Sequence, residues 1–204
     1  GMLFTEAVAP EHADAIRQML ERGALLVTPA FGQTPEHEAE ILRILSEYFD
    51  EPQRSDALLA RAAEITRGST DRTLQAQIDC DRGQMLQALG RSDEAVALVE
   101  RWLREPETPD LAAVHCLQMR GAIAASTTEP KAALAYSQAA LERLRRAGLA
   151  GGDVEADLLG DIGFALHHNS RSSEAEAFFE ESMQRFRALN RLDSLHARVM
   201  LSNW

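Results

Sequence analysis

The chain has 204 residues and a formal net charge of −11. That acidity argues against nucleic-acid and anionic-membrane partners, which are held by clustered cations. Hydrophobic residues make up 45% and aromatics only 5%, with Ala, Leu, Glu and Arg abundant, a balance that favours helices. No apolar run reaches about 18 residues and no charged-then-apolar leader is visible, so a cytoplasmic setting is expected. Cys80 and Cys116, both in apolar helical contexts, are expected there as reduced small hydrophobes rather than as a disulfide. Gly1 ahead of Met2 reads as a cloning remnant.

In chain order, "EHADAIRQMLERGALL" (11–26) has the spacing of one amphipathic helix. "VTPAFGQTPE" (27–36) reads as a connector in which Thr34 and Pro35 start the next helix. The segment 38–65 reads as a helical hairpin broken at "DEP". Beyond it, self-similarity appears. Gly83 precedes Ala95 by twelve residues, Gly121 precedes Ala133 by twelve and Gly163 precedes Ala175 by twelve, the units lying 38 and 42 residues apart. In the middle unit Ala132 and Tyr136 leave a one-residue slip open. The second helices "DEAVALVERWL", "KAALAYSQAAL" and "SEAEAFFEESM" each place Leu103, Leu141 or Met183 eight residues past the Ala. Wide apolar stripes on both helices of each unit must be buried by stacking neighbours. Gly within a helix costs roughly 0.5–1 kcal/mol relative to Ala, so three in register imply a close helix crossing with the Ala side.

These units, over residues 76–188, resemble tetratricopeptide repeats. The family's unit is about 34 residues; the longer periods here are similar to extended-helix versions in bacterial regulatory proteins. Trp102 and Ser182 replace usual small residues, Ser137 replaces a usual aromatic, and the closing proline appears only near Pro106 and Pro109. Residues 11–65 more distantly resemble the entry into the repeat region that follows the kinase domain in some bacterial serine/threonine kinases, without any kinase motif. The resemblance implies an all-α, right-handed superhelical solenoid of antiparallel hairpins, about ten helices. It is expected to form one domain over 2–204, with degenerate helices at 2–70, repeats at 71–107, 108–150 and 151–190, and a terminal helix at 191–204.

It further implies that first helices line a concave face. Projected there are Gln77, Cys80, Asp81, Gln84 and Gln87, then His115, Gln118, Met119 and Ser126, then Asp157, Asp161, Phe164, His167 and His168. This lining has no Lys or Arg, so it lacks the cationic clamp by which some relatives hold a carboxylate tail. An uncharged or basic peptide is expected over an acidic one; the alternative is a solvated face. His167 with His168, and Cys80 with His115 and Cys116, lack a metal-ligand spacing, so no metal or other cofactor is expected.

No HExxH, GxSxG or phosphate loop occurs, and the chain is expected to be noncatalytic. Glu38, Glu40, Glu47, Glu180 and Glu181 read as solvated, Phe178 and Phe179 as packing residues, and Arg143, Arg145 and Arg146 as a run serving the helix dipole alone. The expected function is a scaffold that binds a partner peptide or helix, within a bacterial signalling protein. Its rivals are a ligand-responsive regulator and an oligomerisation module. For 191–204, where Val199, Met200, Leu201 and Trp204 form an apolar face, a continuing array or self-association is expected over a cap.

Overall fold

The computed structural model describes residues 10–31, 34–127, 129–192 and 197. Among them are nine helices and no strand: α1 (Pro10–Phe31), α2 (Pro35–Ser46), α3 (Pro52–Thr66), α4 (Arg72–Ala88), α5 (Ser92–Arg104), α6 (Asp110–Ser126), α7 (Pro130–Arg146), α8 (Asp153–His168) and α9 (Ser172–Ala188). The chain is therefore all-α among the described residues.

Local chemistry sets the helix ends. Prolines open α2, α3 and α7, where their missing N–H would have had no intrahelical partner. Asp71 caps α4 by accepting from the Leu74 N–H at 2.9 Å. Four helices close in one way, with Gly90, Gly148, Ser170 and Asn190 at positive φ just past the last turn. The N–H of the next residue then returns to a carbonyl five residues back, Arg91 to Leu86, Leu149 to Leu144, Arg171 to Leu166 and Arg191 to Phe186. After two of these turns the same arginine forks onto a glutamate three residues on, Arg91 to Glu94 and Arg171 to Glu174.

Consecutive helices pair as α2 with α3, α4 with α5, α6 with α7 and α8 with α9. The pairs are antiparallel. Asp79 accepts from Trp102, and four residues later Gly83 faces Val99, so the contacts advance on one helix as they retreat on the other. In all three repeats the glycine faces the residue sixteen positions on. A Cβ at Gly83 would stand 2.5 Å from Val99 Cγ2, one at Gly121 3.2 Å from Ser137 Oγ, and one at Gly163 2.6 Å from the Phe179 ring. The expected Ala contributes in two units through its backbone, since the Ala95 and Ala133 carbonyl oxygens lie 3.3 and 3.5 Å from those positions. Ala133 and Ser137 are buried, which fixes the middle unit without a slip.

The core runs as three successive clusters. Val27, Leu42, Leu59 and Ile78 anchor the first, Val99, Trp102 and Ile123 the second, and Leu144, Leu158, Ile162 and Phe186 the third. Trp102 is buried with its indole N–H donating to Asp79 at 2.9 Å, while Arg72 and Arg101 flank its ring. Ser182 donates to the Ala156 carbonyl across the last pair.

Several expectations are corrected. Cys80 and Cys116 are disulfide-bonded, their Cα atoms 5.2 Å apart, so each is the other's partner rather than an isolated thiol. The connector expected at 27–36 is helical as far as Phe31, because Val27 is buried against α2 and α3. Glu38 is not solvated: it is 5% exposed, accepts from Arg61 at 2.9 Å and also meets Thr28. Glu40 and Glu47 both pair with Arg43. The arginine run has partners, Arg143 on Asp110, Arg146 on Glu142 and Arg145 on the buried Glu155. Glu155 also receives Arg185 at 2.8 Å and the Gly151 N–H at 2.7 Å, so it ties α7, α8 and α9 together. Of the expected terminal helix, Ala197 is helical and buried, whereas Val199, Met200, Leu201 and Trp204 lie outside the described residues.

Two outcomes follow from this packing. Gly→Ala gains about 1 kcal/mol of helix propensity, set against about 1–3 kcal/mol where the new methyl overpacks. Gly121→Ala, facing a rotatable hydroxyl, is expected to be neutral or stabilising in urea unfolding, and Gly163→Ala, facing a buried ring, to be destabilising. Equal stabilisation by both would contradict the crossing geometry. For the disulfide, a separation of 36 residues corresponds to about 3–4 kcal/mol of denatured-state constraint. The Cys80→Ala, Cys116→Ala variant should lose stability on that scale, and thiol titration of the unfolded wild type should find no free thiol. Two titratable thiols would restore the reduced reading.

Candidate functional site

The first helices of the repeats, α4, α6 and α8, carry the residues projected onto one face, and the structure divides them into two groups. Between α4 and α6 the helices pack along each other and are cross-linked. Beside the disulfide, His115 Nε2 and Asp81 Oδ1 are 2.6 Å apart, and Arg43 of α2 donates to Asp81 Oδ2 at 3.2 Å and to Glu40 at 3.1 Å. Burial would push the Asp81 carboxyl up, but His115 first and Arg43 second hold it below the usual carboxylate range. The Arg43 cation is opposed by burial, yet its bonds to Glu40 and Asp81 raise its pKa. Asp81 and His115 are thus joined in a polar tie across α2, α4 and α6, which corrects the view of Asp81 as a charge presented to a ligand.

Between α6 and α8 the arrangement differs. These helices share no extended packing among the described residues; α7 lies between them and forms a floor. The gap holds a cavity of about 670 Å³. Gly121, Ala122, Ala125 and Ser126 supply one wall, Pro130, Ala133 and Ser137 the floor, and Asp161, Phe164, Ala165 and His168 the other wall. Small side chains on α6 and α7 make the room. Phe164 is steadied edge-on by Phe179, ring centres 5.0 Å apart. Across the gap Gln118 of α6 donates to Asp161 Oδ2 at 2.9 Å, which orients the carboxylate on the wall.

The projected residues therefore have separate fates. Ser126, Asp161, Phe164 and His168 line the cavity and Gln118 bridges it. Cys80 is fully buried in the disulfide, and Met119 packs against the second core cluster, which removes both from the candidate surface. Gln77 and Gln84 are half-buried on α4, away from the cavity, and Gln87 on the same helix has a buried side-chain oxygen without a hydrogen-bond partner. Asp157 is half-buried one turn before Asp161, while His167 is exposed with Nδ1 3.3 Å from Ser172 Oγ. The lining residues Gly121, Ala122, Ala125, Pro130, Ala133, Ser137 and Ala165 were not among the expected site residues, although "GAIAAS" at 121–126 is visibly a run of small residues.

A second cleft of about 430 Å³ lies among α3, α4 and α5, with Arg67, Arg72, Arg82 and Arg101 on its walls. Each is engaged by a carboxylate, respectively Glu64, Glu105, Asp56 and Asp79. It is a paired network rather than a waiting anion site. Among the described residues no group of three or more His, Cys, Asp or Glu is placed to hold a metal ion, and no helix is long and apolar enough to cross a membrane. Compared with known proteins, the chain matches no protein-family model and no curated protein.

The buried carboxylates give a pH dependence with a definite sign. Burial would raise Glu155, but Arg145, the Gly151 N–H and Arg185 hold it below its usual range, as His115 and Arg43 do for Asp81. A carboxyl depressed in the folded state contributes stability that is fully present above its unfolded pKa, about 4, and is lost as pH falls through the lower folded value. Unfolding free energy is expected to fall below about pH 4. Glu155→Gln should be less stable than wild type at neutral pH and converge on it in acid. A constant gap between the two at every pH would sink this assignment.

Proposed function

We propose that the chain is a noncatalytic interaction module of the tetratricopeptide type, a right-handed superhelical solenoid of antiparallel hairpins, which takes a segment of a partner protein into the cleft between α6 and α8. The cavity carries this reading. Its volume of about 670 Å³ falls in the range of sites that enclose ligands, and its small apolar floor, ringed by a few polar groups, is the usual composition of such sites. The antiparallel pairs and the recurrent glycine crossing support the repeat assignment.

A ligand-responsive regulator is the second reading, favoured by the unequal joints. The α4–α6 joint is packed and cross-linked, whereas the α6–α8 joint is open, so an occupant that prefers one spacing would shift it. As for compartment, the cytoplasmic expectation sits poorly with the disulfide, which is what an oxidising environment produces.

The test is a selection of displayed peptides on the wild-type chain, followed by fluorescence anisotropy. Ala125→Trp places an indole in the cleft from an exposed position and is expected to weaken the selected peptides by more than about tenfold, or 1.4 kcal/mol. Ala97→Trp, exposed on α5, should leave them unchanged. Equal binding to all three proteins would remove the cleft from the function.

A further inference from the structure

Two cross-links join α4 to α6 at neighbouring residues. Cys80 is bonded to Cys116, and one position along each helix Asp81 meets His115 at 2.6 Å. Arg43 braces the second link from α2, donating to the other Asp81 oxygen at 3.2 Å. Both cysteines are fully buried and share an apolar cluster with Ala76, Val99, Trp102 and Ala112. Thiol exchange needs direct access of a thiolate to one sulfur, so the bridge can be reduced only when α4 and α6 part. A separation wide enough to admit a thiol breaks the Asp81–His115 contact beside it.

The reduced pair has a place in the same packing. Cys116 Sγ lies 3.6 Å from the Ala76 carbonyl oxygen, an acceptor for the S–H that reduction creates. A reduced Cys80 is a small hydrophobe among apolar neighbours. Asp81, His115 and Arg43 then hold the helices together without the bridge.

We propose that the Cys80–Cys116 pair is a reversible redox lock on the joint between the first two repeats, and that the Arg43–Asp81–His115 tie is its gate. In the reducing direction the thiolate of a dithiol attacks one sulfur and the Cys80–Cys116 bond breaks. The mixed disulfide so formed is resolved by the second thiol of the reductant. Two electrons and two protons pass to Cys80 and Cys116, and the dithiol leaves as its own disulfide. A low-molecular-weight disulfide such as oxidised glutathione reverses the exchange. Oxidised, the joint is covalent; reduced, it rests on the tie and on packing and opens more readily. The lock concerns α4 and α6 and is independent of what the cleft between α6 and α8 takes.

The test follows thiol release from the folded protein in excess dithiothreitol at one fixed pH, with circular dichroism on the product. The wild type is expected to release its thiols at least about 100-fold more slowly than the urea-unfolded chain, to keep its helical signal once reduced, and to regain the bridge in oxidised glutathione. Urea below the unfolding transition should change the rate by less than about twofold, because a local opening exposes little surface. His115→Ala and Asp81→Asn, which weaken the gate, should each speed release by at least about tenfold. Glu155→Gln, which loosens the distant α7–α9 contacts, should leave it within about twofold.

Loss of the helical signal on reduction would make the bridge a structural requirement and end the lock. Unchanged rates in His115→Ala and Asp81→Asn would remove the tie from the mechanism. Equal acceleration by Glu155→Gln, or a rate that climbs with urea as steeply as global unfolding, would put the sulfurs under global protection and overturn the gate. Release as fast as from the unfolded chain would leave no gate to assign.

Discussion

Within each glycine-bearing helix pair, the two helices approach so closely that a methyl group added at the glycine would stand only 2.5 to 3.2 Å from the facing side chain. The residue facing each glycine differs, being Val99, Ser137 or Phe179, but its place sixteen positions on does not. The closeness is therefore set by geometry common to the pairs, and each pair has found its own side chain to fill the contact. Because interiors are packed to crystal-like density, the choice of filler propagates. Phe179 presses on Gly163 and also meets Phe164 edge-on, which holds that ring at the wall of the cleft. Ser137, small and hydroxylated, leaves the α6–α7 side of the cleft empty.

Close packing, present between α4 and α6 and absent between α6 and α8 among the described residues, divides this face of the molecule in two. On one side a disulfide and the Arg43, Asp81 and His115 tie occupy the polar face, leaving little for a ligand to engage. On the other, among the described residues, the Gln118 amide reaches across the gap to the Asp161 carboxylate. A face that reads as one continuous groove by residue type is in physical terms a fastened half and an open half.

Much of the helical architecture was legible in the sequence because it depends on periodicity and on backbone exceptions. The apolar spacing, the glycines and the helix-opening prolines are local signals, and they mark the pairs from α2 to α9. What escaped depends on contacts between distant residues. Cys80 and Cys116 are separated by a whole helix, and only packing of α4 against α6 brings them together. Asp81 looked like a ligand-facing charge because nothing near it in sequence announces Arg43, 38 residues earlier. Of the eleven residues that line the cleft, four stand at projected positions, Ser126 on α6 and Asp161, Phe164 and His168 on α8. The other seven, mostly alanines, were passed over since small residues signal close packing as readily as empty space.

The disulfide has a topological consequence. Its two sulfurs lie on α4 and α6, so the ring it closes contains all of α5 and the turn from Glu105 to Pro109. A protease that cut in that turn would create a new pair of chain ends without releasing two pieces. The polypeptide would have lost its continuity while the molecule stayed covalently single, its N-terminal and C-terminal parts parting only on reduction. For a protein outside a reducing compartment, the connection between repeats would then depend less on the peptide bond than on one buried sulfur–sulfur bond.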